Sequence, residues 1–329
     1  MNPTIYDVSR LSGVSTATIS RAFSEPEKVR EGTRRKVYEA AAALHYSPNA
    51  IARAMARQRT DKIAFLICKK GATILDEFYA SICEGIMRET NGSDYLLLIS
   101  TAEDWSQASA TAQSKQVEGV ILGGDAQAEL VSEFQSKNVA VVLVNNRMAG
   151  FDLPCVVSDE RGGVRQAVEH LMERGHRRIG MLAGRFAPYI TGERYSAFLE
   201  VMEDHGLPVR DEDIKLCNPN VSDATQTALE LLDRPDRPSA VFAANDIIAA
   251  ATVKAAARLH LRVPEDLAVV GYDDSTACAL TEPELTSVHI DCRQMGLLCV
   301  ERLKAVLCGE EHVPRLTVVP TRLVVRRSS

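Results

Sequence analysis

Beyond residue 61 the chain alternates short, nearly unbroken apolar runs with amphipathic stretches. The runs are IAFLI (63–67), YLLLIS (95–100), GVIL (119–122), AVVLV (140–144), IGMLA (179–183), AVFAA (240–244) and LAVVGY (267–272). Continuous apolar runs of this length predict strands buried on both faces, as in parallel sheets covered by helices. So long a β–α series divides better into two lobes than one, with the break expected near Val157–Arg161. The first 60 residues carry a different period. Thr4 and Asp7 have the spacing of a capping box, which predicts a helix from Ile5, with Ile5, Val8 and Leu11 on its inner face. Gly13 then supplies a tight turn and Ser15 caps a second helix. In that helix Ile19, Ala22 and Phe23 point inward, leaving Thr16, Ala17, Ser20 and Arg21 outside. A third helix, about Glu31 to His45, buries Val37, Ala40, Ala41 and Leu44.

Charge follows the same division. Residues 1–60 hold ten Lys and Arg against five Asp and Glu, whereas the remainder holds 28 against 39. A basic head on an acidic body suggests a segment facing nucleic acid, because cations gain affinity by displacing counterions from phosphates. The exposed face of the second helix fits that reading. Short side chains allow close approach in a major groove, and an arginine among hydroxyl groups can reach base edges. An ordinary helical hairpin would show the same Gly-broken pair, so the neighbouring segments decide.

The eight cysteines form no Cys-x-x-Cys pair and no ligand set with histidine, which predicts buried thiols and no metal or other cofactor. The N-terminus lacks a basic-then-apolar leader and no apolar run approaches a membrane span, so the expected location is the cytoplasm. Polar residues cluster just after the predicted strands: Asn145, Asn146 and Arg147; Asp159; Asn245 and Asp246; Asp273 and Asp274. They fall at one sheet edge, where ligands of such folds bind, and their amides and carboxylates suit the hydroxyls of a sugar or polyol. Some may instead only cap helices, a role that fits Asp246 and Asp274 better than Asn245 and Asp273.

The stretch TIYDVSRLSGVSTATISRAFS, with TRRKVYEAAAALHYSPNAIARAM following, resembles the headpiece of the lactose/galactose/purine repressor family. That resemblance places Thr16, Ala17 and Arg21 at base-reading positions and Thr4, Ser15, Ser20, Thr33 and Asn49 at DNA backbone contacts. Lys28 and Arg30 are expected to contact the backbone whatever the sequence. SPNAIARAMAR resembles the family's hinge helix, with Met55 at the position of the minor-groove wedge. Ala50, Ala54 and Ala56 leave room for two such helices to pack, and the segment is too short to be helical alone. Further along, ERGHRRIGMLAG, GERYSAF, AVFAAND, VVGYDD and EPELTSV are similar to landmarks of the family's effector-binding core. They imply Arg194, Asn245 and Asp273 as effector-binding residues, Phe78 and Tyr79 as stacking groups, and Asn146 beside them. Departures leave the ligand open: KKGATILDEF lacks the family's Asn-Pro, Asn146 stands where Asp is frequent, and Glu160 where Asn is frequent.

The expected fold is an all-α helix-turn-helix headpiece plus an α/β periplasmic-binding-protein-like core of two doubly wound parallel-sheet lobes. Its expected divisions are 1–46 for the head, 47–60 for the hinge, 61–158 with 291–317 for one lobe and 159–290 with 318–329 for the other. The function implied is a DNA-binding transcriptional regulator, a repressor, whose affinity for double-stranded operator DNA follows a small metabolite such as a sugar. TRLVVRRSS carries no apolar heptads, which leads to the expectation of a homodimer rather than a zippered tetramer. Two rivals are control by a protein partner or a non-sugar corepressor, and a sugar-acting enzyme. The latter lacks a nucleophile elbow, P-loop, zinc motif or nucleotide fingerprint.

Overall fold

A computed structural model describes residues 3–24, 26–46, 60–68, 76–93, 95–102 and 117–329. The chain forms two compact units, Met1–Asp61 and Lys62–Ser329. In the first, α1 (Ile5–Ser12), α2 (Thr16–Ser24) and α3 (Glu31–Ala43) surround a small core. The Thr4 amide and hydroxyl both donate to Asp7 Oδ2, at 2.9 and 2.7 Å, and fix the start of α1. These hydrogen bonds also hold the Asp7 carboxyl below its usual range. Gly13 ends α1 at φ 66°, a left-handed conformation that a side chain would strain. The Ser15 hydroxyl then accepts from the Thr18 amide to start α2. Val8, Ile19, Ala22, Val37, Ala40 and Ala41 are buried, and Tyr38 donates to the Ala22 carbonyl at 2.9 Å, tying α3 to α2. Leu11 corrects the expected inner face of α1, being 56% exposed. At 100° per residue it lies 60° round from Val8, past the surface that α3 covers.

The second unit holds two six-stranded sheets. Its elements in order are β1 (Lys62–Cys68), α4 (Glu77–Thr90), β2 (Leu96–Ala102), β3 (Gly119–Gly124), α5 (Ala128–Ser136), β4 (Ala140–Val144), β5 (Cys155–Ser158), α6 (Glu160–Glu173), β6 (Ile179–Gly184) and α7 (Pro188–Asp204). They continue with β7 (Ile214–Cys217), α8 (Val221–Leu232), β8 (Ala240–Ala243), α9 (Asp246–Arg258), β9 (Ala268–Asp273), α10 (Ala277–Leu280), β10 (Thr286–Ile290), α11 (Cys292–Leu307), β11 (Leu316–Val319) and β12 (Thr321–Val324). One sheet runs β11-β5-β4-β3-β1-β2 and the other β12-β10-β9-β8-β6-β7. All neighbours are parallel except β10 and β12. Every one of the seven apolar runs is a strand.

The chain passes between the sheets three times: after β5, after β10 and between β11 and β12. Val318 and Val319 pair with Val157 and Ser158, so the third crossing falls at Pro320 rather than between residues 317 and 318. The reason is register: the hydrogen-bonded edge of β5 continues to Ser158, and β11 follows it to the end. β7, β11 and β12 were not among the apolar runs, because each lies on or near a sheet edge and is only half covered. β2 shows the same constraint from the other side. Its run reads as fully buried, yet Leu96 and Ile99 are exposed because it closes the edge of its sheet.

A single cluster of buried apolar side chains extends through both lobes, from Phe65 and Ile82 to Phe198, Phe242 and Tyr272. Each such side chain contributes roughly 1.5–3 kcal/mol by leaving water. Tyr272 sits where the first crossing enters the second lobe, and Gly163 in the first turn of α6 makes room for it. A Cβ there would lie 2.3 Å from the Tyr272 hydroxyl and 2.9 Å from Thr321 Oγ1. Gly163→Ala should therefore lower stability by about 1–3 kcal/mol. Gly192→Ala, with open space around it on α7, should raise stability by up to about 1 kcal/mol. Urea unfolding of both variants measures the contrast; equal effects would show that α6 can shift away from Tyr272.

Candidate functional site

In the head, the polar face of α2 stands clear of the core. Ala17, Ser20 and Arg21 are exposed on the side turned away from Ile19 and Ala22, and Thr16 is half-buried at the edge of that face. Among the described residues no hydrogen bond or ion pair engages Arg21. Ser15 is exposed, although its hydroxyl also lies 2.9 Å from that of Thr18. Thr4, Lys28 and Arg30 are exposed and Thr33 is half-buried. The helix can thus present one methyl group, two hydroxyls and one guanidinium to a partner without disturbing its packing. Asn49 and Met55 lie outside the described residues.

In the two-lobed unit the strand-end residues gather around Arg194, on α7. This guanidinium is 3% exposed and bonded on every nitrogen. Nε donates to Glu160 Oε2 at 2.6 Å, one terminal nitrogen donates to the Ala244 carbonyl, and the other reaches Asp273 Oδ1 at 3.5 Å. Its central carbon lies 3.8 Å from the centre of the Tyr272 ring. Burial opposes the charge, but the carboxylates of Glu160 and Asp273 outweigh it and hold the guanidinium protonated. Glu160 opens α6 and is itself 2% exposed, with the Ser158 hydroxyl donating to its other oxygen. Asp273 ends β9 at φ 102°, a conformation that costs a non-glycine residue of order 1–3 kcal/mol and that gathers at binding sites. Burial pushes its carboxyl well above the usual range; Arg194 pulls it back, while Asp246, Glu160 and Asp76 push further up.

Asn245 corrects the sequence reading. It is the N-cap of α9, its Oδ1 accepting from the Ile248 amide at 3.0 Å, so that only its Nδ2 end remains for other partners. Asp246, the expected cap, is instead 1% exposed and accepts from Ser287 Oγ and the Ser275 amide, both at 2.6 Å. Asn245 holds the cap because its backbone is extended at φ −158° and ψ 173°, whereas Asp246 is already helical and its carboxylate is satisfied by two donors from the loop and strand beside it. Asp274 is held by Arg326 at 2.6 Å and His289 at 3.0 Å.

The first lobe contributes from the opposite side. Phe78 is half-buried, and its ring meets that of Tyr79 edge-on at 5.2 Å. Tyr79 is 7% exposed and packs over Gly123, which makes it a core residue rather than a stacking surface. Asn146 is buried, its Nδ2 donating to the Gly124 carbonyl at 2.8 Å. Side chains also bridge the lobes: Glu77 accepts from the Thr276 amide at 2.9 Å and hydroxyl at 2.7 Å, and Arg147 stands close enough to Tyr189 to act on its hydroxyl. The residue that sequence reasoning missed is Glu160, noticed there only as a departure from a family pattern. Its signal was an acidic residue directly after the chain's expected first crossing.

A further buried carboxylate, Asp213, is held by Arg178 at 2.7 Å and Arg234 at 2.6 Å. It joins the start of β7 to neighbouring loops, well apart from the strand ends that surround Arg194. For the central pair, Arg194→Leu should leave Glu160 as an unpaired buried charge and cost about 3–5 kcal/mol. Thermal and urea unfolding check this; a loss below about 1 kcal/mol would mean that water reaches Glu160.

Comparison with known proteins agrees with this division. A family model described as "Bacterial regulatory proteins, lacI family" matches residues 4–49, and one described as "Periplasmic binding protein-like domain" matches 168–329. The HTH-type transcriptional repressor PurR of Yersinia pestis bv. Antiqua (strain Antiqua) is 30% identical, covering 99% of this chain and 96% of the repressor. A solved complex of the transcriptional regulator CelR with cellobiose is 30% identical, covers 99% of this chain and 100% of CelR, and superposes with a TM-score of 0.78. The Lac repressor dimer bound to operator and the anti-inducer ONPF shares the fold at a TM-score of 0.85, with 24% identity over 100% of this chain and 99% of the repressor chain.

Proposed function

Because the chain belongs to the lacI family of bacterial regulatory proteins, we propose that it is a DNA-binding transcriptional repressor whose operator affinity is set by a small hydroxylated metabolite, a sugar, held between the two lobes. The observation that carries the proposal is that one chain holds both a polar Thr16–Arg21 face free of the core and a cluster at the strand ends in which strained, half-buried Asp273 meets buried Arg194. CelR, whose solved complex holds cellobiose, supports a sugar rather than a protein as the controlling partner. The site residues are read as binding groups, because Asp273 faces a buried guanidinium and a relative covering 99% of the chain is a transcriptional repressor. A protein that reads chromosomal operators works in the cytoplasm.

On DNA, two copies of the head give the area that one small unit lacks, so the working species is a homodimer on a near-palindromic duplex with half-sites about one helical turn apart. Thr16, Ala17 and Arg21 read bases, and Thr4, Ser15, Ser20, Lys28, Arg30, Thr33 and Asn49 follow the backbone. Met55 is the minor-groove wedge of the hinge, residues 47–60. Arg21→Ala should cost about 1–3 kcal/mol and relax base choice at one position per half-site, while Lys28→Ala or Arg30→Ala should weaken all sequences alike. A binding-site selection on each variant distinguishes these outcomes; full selectivity in Arg21→Ala would show that another side chain reads that base.

In the cleft, Asp273 accepts from the ligand's hydroxyls, Asn245 donates through Nδ2, Arg194 adds its remaining N–H groups and Phe78 covers a sugar face. Asn146 braces the loop after β4. Asp273→Ala should weaken effector binding by about 2 kcal/mol or more and leave operator affinity without effector unchanged. Calorimetry against a metabolite panel, beside operator titrations, provides the test. A variant that lost operator affinity yet bound effector normally would make Asp273 a structural residue.

A further inference from the structure

The cleft floor contains a buried arginine, and arginine is the side chain best suited to grip phosphate or carboxylate groups with two parallel hydrogen bonds. Here that grip is already taken by the protein. Glu160 occupies Nε at 2.6 Å, Asp273 takes the neighbouring terminal nitrogen at 3.5 Å, and the other terminal nitrogen donates to the Ala244 carbonyl. The face of the guanidinium rests 3.8 Å above Tyr272. Glu160 cannot swing away to release it, being 2% exposed and held on its second oxygen by Ser158. Around this one cation stand two carboxylates in direct contact, with Asp246 and Asp76 close enough to act on Asp273. Among the described residues, an anionic ligand at this cluster would meet the Asp273 carboxyl, and the guanidinium beside it is already paired with Glu160. A neutral hydroxyl can still donate to Asp273 and accept one of the two guanidinium hydrogens left over.

We propose that Glu160 sets the charge selectivity of the cleft: by pairing with Arg194 beneath the ligand, it makes the floor reject phosphorylated and carboxylated sugars and accept polyols without an anionic group. The inference rests on the effector reading above and adds the chemical class of the effector. It also gives Glu160 a role that neither its burial nor its salt bridge alone would assign, since a purely structural pair would leave ligand charge indifferent.

The test is calorimetry on the full-length protein without DNA. The probes are a panel of hexoses, pentoses, disaccharides and hexosamines, together with the matching hexose 6-phosphates and hexuronates. Wild type should bind members of the uncharged or amine-bearing set and bind each anionic counterpart at least tenfold more weakly. Glu160→Gln, close in shape but uncharged, frees the guanidinium and should raise affinity for the anionic probes at least tenfold relative to wild type. Glu160→Gln combined with Arg194→Gln removes both charges and should restore rejection. Cooperative thermal unfolding confirms that each variant is folded; if Glu160→Gln is not, the matched pairs on wild type decide. Wild type preferring a phosphate or uronate over its neutral counterpart, or a folded Glu160→Gln with unchanged anion affinity, overturns the assignment of Glu160. Silence of wild type and variants toward every probe overturns the effector reading itself, and this inference with it.

Discussion

The buried pair between Glu160 and Arg194 is the interaction around which the two-lobed unit is arranged. Neither charge can lie in an apolar interior alone, so each requires the other within hydrogen-bond distance, and that requirement fixes the start of α6 against the middle of α7. Tyr272 fills the space beneath the guanidinium, and Gly163 leaves room for Tyr272. The first passage of the chain between lobes ends at Glu160. The same pair therefore anchors both the strand-end cluster and the first connection between the lobes.

This placement links ligand and hinge by short physical paths. Asp273 touches Arg194, its neighbour Asp274 pairs with Arg326 just past β12, and His289 at the second crossing donates through Nδ1 to Asp274. The floor of the cleft and two of the three crossings thus share one set of charges. Glu77 on Thr276 and Arg147 on Tyr189 bridge the lobes from the other side. A ligand that changes the balance among these contacts biases the lobe arrangement by its differential affinity, and by linkage the operator biases ligand affinity equally.

The head obeys a simpler constraint. Its core is so small that each inward position is needed, which leaves the outward face of α2 at liberty to carry whatever the partner requires. Exposed apolar residues such as Tyr6 and Leu11 are the consequence of eight-residue α1 having one covered face.

Sequence alone determined what depends on local order. The Thr4–Asp7 cap, the Gly13 turn, the burial of Val8, Ile19 and Val37 and the seven apolar strands follow from spacing within a few residues, because caps, turns and periodicity act over one helical turn or one pleat. It also brought Asp273 and Asn245 to one sheet edge, since parallel βα units put their loops on the same side, while Arg194 was implied only by the family resemblance. Only tertiary structure decided how those residues are used. Whether Asn245 or Asp246 caps α9 depends on Ser275 and Ser287, contributed by a loop and strand distant in sequence. The edge positions of β2 and β7 depend on which strands find partners, and the course of the third crossing on how far β11 follows β5. Glu160 became part of the site for the same reason. Its partner lies 34 positions away, and the energy of a buried charge is set by what the whole fold places next to it, not by its neighbours in the chain.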